Sequence, residues 1–214
     1  PLKGSRLPRL PSLPSEITKR WKPADLDAWR SGDDPLRRLS IDHAVSVAPI
    51  RGGSEAADRT LRAFLDSKLQ DYATRRNEPE ADVSSGLSPY LHFGHIATHQ
   101  VFAELMQQAG WSTEQVAPKA TGKSTGWWGA DECTEGFLDE LITWREVGYN
   151  MAWQRDDYER YESLPDWARK TLAEHADDPR EHLYSLEEFE RSQTHDPLWN
   201  AAQRQLVREG RIHN

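Results

Sequence analysis

Ser84, Ser85, Gly86 and Ser88 fall in a short polar turn just before Pro89, and residues of these types could hold an anion. Small residues let a backbone come close to a ligand, and their N–H and O–H groups can surround a phosphate with many short donors. The same composition also serves as plain punctuation before a helix, so both readings stand on local chemistry alone. A second group is Glu140, Trp144 and Arg145. Glu140 and Trp144 are four apart and share one face of a helix. A carboxylate beside an indole suits a flat heterocyclic ligand, and Arg145, about a quarter turn away, could reach a phosphate. The alternative is a surface glutamate beside a core tryptophan on an ordinary amphipathic helix. Arg75, Arg76 and Asn77 form a third group. Paired guanidinium groups there either satisfy a helix C-terminus or hold a phosphate of DNA or of a cofactor. His92, His95 and His99 recur at steps of three and four, which raises zinc. No cysteine partner and no metalloprotease-type carboxylate accompany them, and Gly94 argues that the helix starts only after His92, so no metal is expected.

These groups need helices to place them. Ala57, Leu61, Phe64, Leu65, Leu69 and Tyr72 recur at three- and four-residue steps and predict a helix over about 55–74, with Ser54 as its cap. An amphipathic helix is expected after Pro89, and residues 77–82, with Pro79, read as a loop. Thr98 is placed to cap a further helix bearing Val101, Phe102, Leu105 and Met106 on its apolar side. Residues 113–135 are polar and glycine-rich, hold Trp127 and Trp128, and read as a long loop. Phe137, Leu138, Leu141, Ile142, Trp144, Val147 and Met151 predict a helix around 136–153. Ser163 to Asp166 and Ser185 to Glu188 read as capping boxes. Asp196 with Pro197 opens a last helix that Gly210 closes. No stretch alternates as a strand does, so the body is expected to be all-α. The opening, about residues 1–50, is rich in proline and arginine and reads as a linker; the body is residues 51–214.

Composition excludes several classes of function. The 214 residues carry a net charge of −8, divided as +4 over residues 1–53 and −12 over the remainder. Nucleic-acid binding would therefore need a local basic patch. A single cysteine, Cys133, rules out an internal disulfide framework and fits a reducing compartment, hence the cytoplasm. No apolar run approaches the ~20 residues of a membrane span, and no secretory signal is recognisable. The start at Pro1 suggests a processed or excised piece. Nine tryptophans are enough to line a pocket as well as fill a core.

Taken in order, Tyr72, Arg76, the stretch 84–91, Glu140 with Trp144 and Arg145, and residues 211–214 resemble the FAD-binding helical domain of the photolyase and cryptochrome family. Residues 87–96 are close to that family's core motif. Residues 164–172 and 194–203 are similar to class II cyclobutane pyrimidine dimer photolyases. Asn214 departs toward the class I pattern, and Gly86 stands where class I enzymes usually carry a longer side chain. The resemblance covers roughly residues 35–214 and implies an all-α FAD-binding domain of this type, incomplete at its C-terminus. It implies that Tyr72, Ser84, Ser85, Gly86, Leu87 and Ser88 hold FAD, with Arg145 adding charge. It implies that Glu140 and Trp144 face the damaged pyrimidines, that Arg76 touches the DNA backbone and that Asn214 sits by the flavin ring. The implied activity is light-driven repair of pyrimidine dimers in DNA, a carbon–carbon lyase reaction. The alternatives are a cryptochrome-like flavin photoreceptor without repair activity and a truncated helical remnant without bound cofactor.

Overall fold

The computed structural model describes residues 14–21 and 35–212, and every regular element among them is a helix or helical turn. The first, α1 (Ser15–Arg20), is exposed throughout. The fold proper starts with α2 (Ser54–Ser67), which buries Ala56, Ala57, Leu61, Phe64 and Leu65 on one face. Its cap position is Gly53, at φ +99°, and Ser54 is already inside the helix, one residue later than expected of a cap. The single helix expected over 55–74 is broken. The Ser67 hydroxyl donates back to the Ala63 carbonyl at 2.7 Å, a bond that competes with the helical ladder. The chain then tightens through a 3₁₀ turn, Leu69–Asp71, into the short α3 (Tyr72–Arg75).

Four further helices complete the part that carries the site. The helix expected after Pro89 is only α4 (Ser88–His92), and the chain leaves it through Gly94 at φ +69°. Next comes α5 (Thr98–Gln108), burying Val101, Leu105 and Met106; its cap position is Ala97, and the Thr98 side chain caps nothing. The expected loop 113–135 ends early, because α6 (Glu132–Leu138) starts inside it. It runs on through a π-helical segment, Asp139–Trp144, into α7 (Arg145–Gln154). Beyond it lie α8 (Asp166–Glu174), α9 (Leu186–Glu190) and α10 (Pro197–Glu209). Ser185 with Glu188 forms the expected capping box of α9, and Asp196 and Gly210 cap α10 as expected. Ser163 does not form the other box: it lies in a 3₁₀ turn, and Pro165 is the cap position of α8.

Rings hold the centre. Phe64 of α2, Tyr72 of α3 and Phe137 of α6 meet pairwise, with centroids 5.7, 4.6 and 5.4 Å apart. Burial of each such ring is worth ~2–3 kcal/mol, and edge-to-face pairing adds to it. Leu61, Leu87, Val101, Leu105 and Leu138 pack around this triangle with almost no exposure. The start of α6 is fixed by two carboxylates. Asp131 accepts from the backbone N–H of Cys133 and Thr134, both at 3.0 Å, and from the Thr134 hydroxyl at 2.5 Å. Glu135, buried, accepts from the backbone N–H of Gly126, of Gly129 at 2.8 Å and of Ala130 at 3.3 Å. It thereby pins the tryptophan loop, whose Trp128 carbonyl takes the Trp111 indole N–H at 2.6 Å.

Burial alone raises the Asp131 carboxyl, but the hydrogen bonds from Thr134 and Cys133 outweigh it and leave the group below its ordinary value of 3.8. This stabilisation is present above the ordinary carboxyl range and is lost as pH falls through the lowered value. Asp131→Ala is expected to cost ~1 kcal/mol, an ordinary cap loss, in urea unfolding at neutral pH, and to cost progressively less as acid neutralises the carboxyl of the parent. Glu135→Ala is expected to speed amide exchange at Gly126, Gly129 and Ala130 while the amides of α2 and α5 stay protected, because three backbone donors lose their acceptor.

Candidate functional site

The polar turn and the π segment face the same hollow. Ser84, Ser85, Gly86 and Ser88 border one side of an open cavity of about 890 Å³, and Tyr72, Arg76 and Asn77 border another. Phe137, Glu140, Leu141, Arg145 and Tyr149 also line it, as do Arg211 and Ile212 from beyond α10. The volume lies within the ~300–1,000 Å³ usual for cofactor sites.

Each element has a local reason for its place. Gly86 sits at φ +67°, a conformation that side chains with a Cβ rarely adopt. A Cβ there would meet only the Thr60 methyl, at 3.5 Å, so backbone conformation and not space requires the glycine. The Leu87 N–H donates to the Ser85 hydroxyl at 3.3 Å and tightens the turn. Leu87 itself is 1% exposed in the core and does not line the cavity. With its N–H given to Ser85, it anchors the turn from behind, which corrects its expected place among the ligand-holding residues.

Arg76 points inward. It donates to the Gly136 carbonyl at 3.2 Å, pairs with Glu140 at 3.4 Å, and lies over the Tyr72 ring at 5.6 Å. With those three partners the guanidinium braces the cavity wall. Arg75, its neighbour, turns outward to Glu78 at 3.2 Å. Tyr72 is 8% exposed, and burial raises its phenol above the ordinary value of 10.0; Arg76 opposes that rise and Glu140 adds to it.

Of the three residues expected together here, Glu140 and Arg145 border the cavity and Trp144 does not. Trp144 is 60% exposed and its indole N–H donates to Asp139 at 3.2 Å. Arg145 is held by the Leu141 carbonyl at 3.2 Å and by Glu146 at 2.6 Å, and its guanidinium lies 5.3 Å from the Tyr149 ring centre. Tyr149 was not among the residues expected at the site; its signal is the four-residue step from Arg145, legible once Arg145 and not Trp144 is placed on the wall. Asn214 lies outside the described residues. Among the described residues no three His, Cys, Asp or Glu side chains converge as metal ligands; of the three histidines considered for zinc, His92 borders the cavity, and His95 packs near Tyr90.

Chemically, the wall offers three serine hydroxyls, a left-handed glycine, the guanidinium groups of Arg145 and Arg211, and one carboxylate. Such a set can receive a diphosphate at the turn and leave the Glu140 carboxylate free to accept a hydrogen bond from a second ligand. No helix among the described residues is long and apolar enough to cross a membrane.

No protein-family model matches the chain. It is similar to curated proteins named deoxyribodipyrimidine photo-lyase. That of Methanothermobacter thermautotrophicus is 36% identical over 189 residues, covering 88% of this chain and 37% of the relative. That of Oryza sativa subsp. japonica is 37% identical over 216 residues, covering 97% and 38%. That of Potorous tridactylus is 33% identical over 193 residues, covering 90% and 32%. The chain thus spans about a third of the length of these relatives.

Two outcomes check this geometry. In an alkaline absorbance titration, Tyr72 is expected to ionise after the exposed tyrosines, and Tyr72→Phe to delete that late phase. Because the folded phenol is raised, the stability it contributes is intact below pH 10 and declines as pH rises through the folded value. Gly86→Ala is expected to cost ~1–2 kcal/mol in thermal or urea unfolding, from backbone strain alone.

Proposed function

This chain belongs to the photolyase family, and on that premise we propose that its cavity is the flavin site of light-driven repair of cyclobutane pyrimidine dimers in DNA. The similarity of residues 164–172 and 194–203 to class II photolyases supports the class II form of that activity. The observation that carries the reading is that the hydroxyl-rich turn and the Glu140 carboxylate border one cavity.

The residues present fit FAD. The left-handed Gly86 and the hydroxyls of Ser84, Ser85 and Ser88 make a cradle that a Cβ would strain, and Arg145 supplies positive charge toward a diphosphate. Held by these residues, reduced FAD would supply light-driven electron transfer to the lesion. The chain's own groups do the rest. Glu140 accepts hydrogen bonds from the pyrimidine bases, and Arg76 holds that carboxylate at the wall. Tyr72, a neutral phenol whose ionisation burial makes harder still, adds no negative charge beside Glu140. The apolar faces of Phe137, Leu141 and Ile96 keep part of the cavity dry. Extrusion of a dimer from the duplex costs less than extrusion of a normal pair, because damage has already weakened its stacking.

Glu140 also favours repair over a photoreceptor without repair activity, since a sensor has no use for a carboxylate aimed at a lesion. The test is repair under blue light of an oligonucleotide bearing one thymine dimer, with the protein loaded with reduced FAD. Glu140→Ala is expected to weaken dimer affinity roughly tenfold, the loss of a charged hydrogen bond, while flavin absorption is retained. Flavin binding and photoreduction without any dimer loss would support the sensor and contradict repair.

A further inference from the structure

Tyr149 borders the cavity although it is 61% exposed and has no place in the core. It lies one turn after Arg145 on α7, and residues four apart on an α-helix share a face. The Arg145 guanidinium stands over its ring, 5.3 Å from the centre. That separation is within the ~6 Å at which the electron-rich face of a ring attracts a cation.

The contacts of Arg145 differ in what they take from it. The Leu141 carbonyl accepts its Nε–H at 3.2 Å, and the Glu146 carboxylate accepts from Nη2 at 2.6 Å and offsets part of its charge. Each occupies a donor that an anion could otherwise receive. The Tyr149 ring occupies none, because the attraction runs through its flat face, and the guanidinium has further N–H groups for a phosphate. A neutral ring also leaves the positive charge whole. Glu146 does not border the cavity and Tyr149 does, so of these two side chains the tyrosine is the one that keeps the guanidinium at the wall. Resting on the reading of the cavity as the flavin site, we propose that Tyr149 is a positioning residue. Its ring holds the Arg145 guanidinium at the cavity, with charge and donors free for the diphosphate of the dinucleotide.

The test uses the full chain and follows, by flavin fluorescence, the binding of FAD and of riboflavin, which shares the flavin ring and lacks the diphosphate. Tyr149→Leu is expected to weaken FAD binding about twofold to fivefold, the worth of an exposed contact between a cation and a ring, and to leave riboflavin unchanged. Leucine is the better helix former, so such a loss does not come from α7 itself. Tyr149→Phe keeps the ring and is expected to bind FAD as the parent does, and Tyr149→Trp as well or better. In an Arg145→Gln background, Tyr149→Leu is expected to cost nothing further, because the ring acts through the guanidinium. A loss in Tyr149→Phe equal to that in Tyr149→Leu would overturn the proposal and leave the hydroxyl as the contact. Equal losses for FAD and riboflavin, or an undiminished effect in the Arg145→Gln background, would overturn it too. A second measurement needs no flavin. The Arg145 Nε–H resonance, assigned by its loss in Arg145→Lys, is expected to shift in Tyr149→Leu and to hold in Tyr149→Phe; a resonance indifferent to Tyr149→Leu removes the contact. A parent chain that binds neither flavin contradicts the reading of the cavity instead, and the resonance still decides whether Tyr149 holds Arg145.

Discussion

One guanidinium joins the two halves of the site. Arg76, at the end of α3, reaches the Gly136 carbonyl of α6 and the Glu140 carboxylate of the π segment, and covers the Tyr72 ring. Each contact is worth at most ~1–1.5 kcal/mol by itself. Their value lies in geometry, because one rigid fork fixes three partners from three elements. Beneath it, the triangle of Phe64, Tyr72 and Phe137 sets how closely those elements approach. Gly136 belongs to the same arrangement: a Cβ there would stand 3.8 Å from the Arg76 guanidinium and 4.0 Å from the Ala73 methyl, so the contact is already close without a side chain.

The helix that runs through the π segment brings Glu140, Leu141 and Arg145 to the cavity, while the Trp144 indole turns to Asp139. π segments occur frequently at functional sites. The cavity here gathers serine hydroxyls, guanidinium groups and the Glu140 carboxylate.

Much of this was legible in the sequence. The apolar steps of Leu61, Phe64 and Leu65 and of Val101 and Leu105 mark the buried faces of α2 and α5, and the caps at Ser185, Asp196 and Gly210 follow from residue type alone. The polar turn before Pro89 and the ordered set of motifs pointed to the cavity and to the family. What stayed hidden depends on long-range contacts or on small competing bonds. The helix that the apolar pattern carries straight through tightens into a 3₁₀ turn after Ser67, where no proline or glycine marks the change. Glu135 reads as one more surface acid of an acidic stretch until three backbone amides are seen to converge on it. Sequence spacing alone did not show that Trp144 lies off the cavity, nor single out Tyr149, which borders it. Leu87 was grouped with its hydroxyl neighbours because it lies among them in sequence, whereas its side chain belongs to the core.

The central claim is that one ligand touches the turn and the π-segment wall at once. Hydrogen–deuterium exchange of the chain with and without FAD tests it most directly. The account predicts that slowing of exchange appears together at residues 84–88 and at 141–149, both lost in Gly86→Ala or neither. Protection confined to one of these stretches, or appearing only elsewhere in the chain, would contradict it.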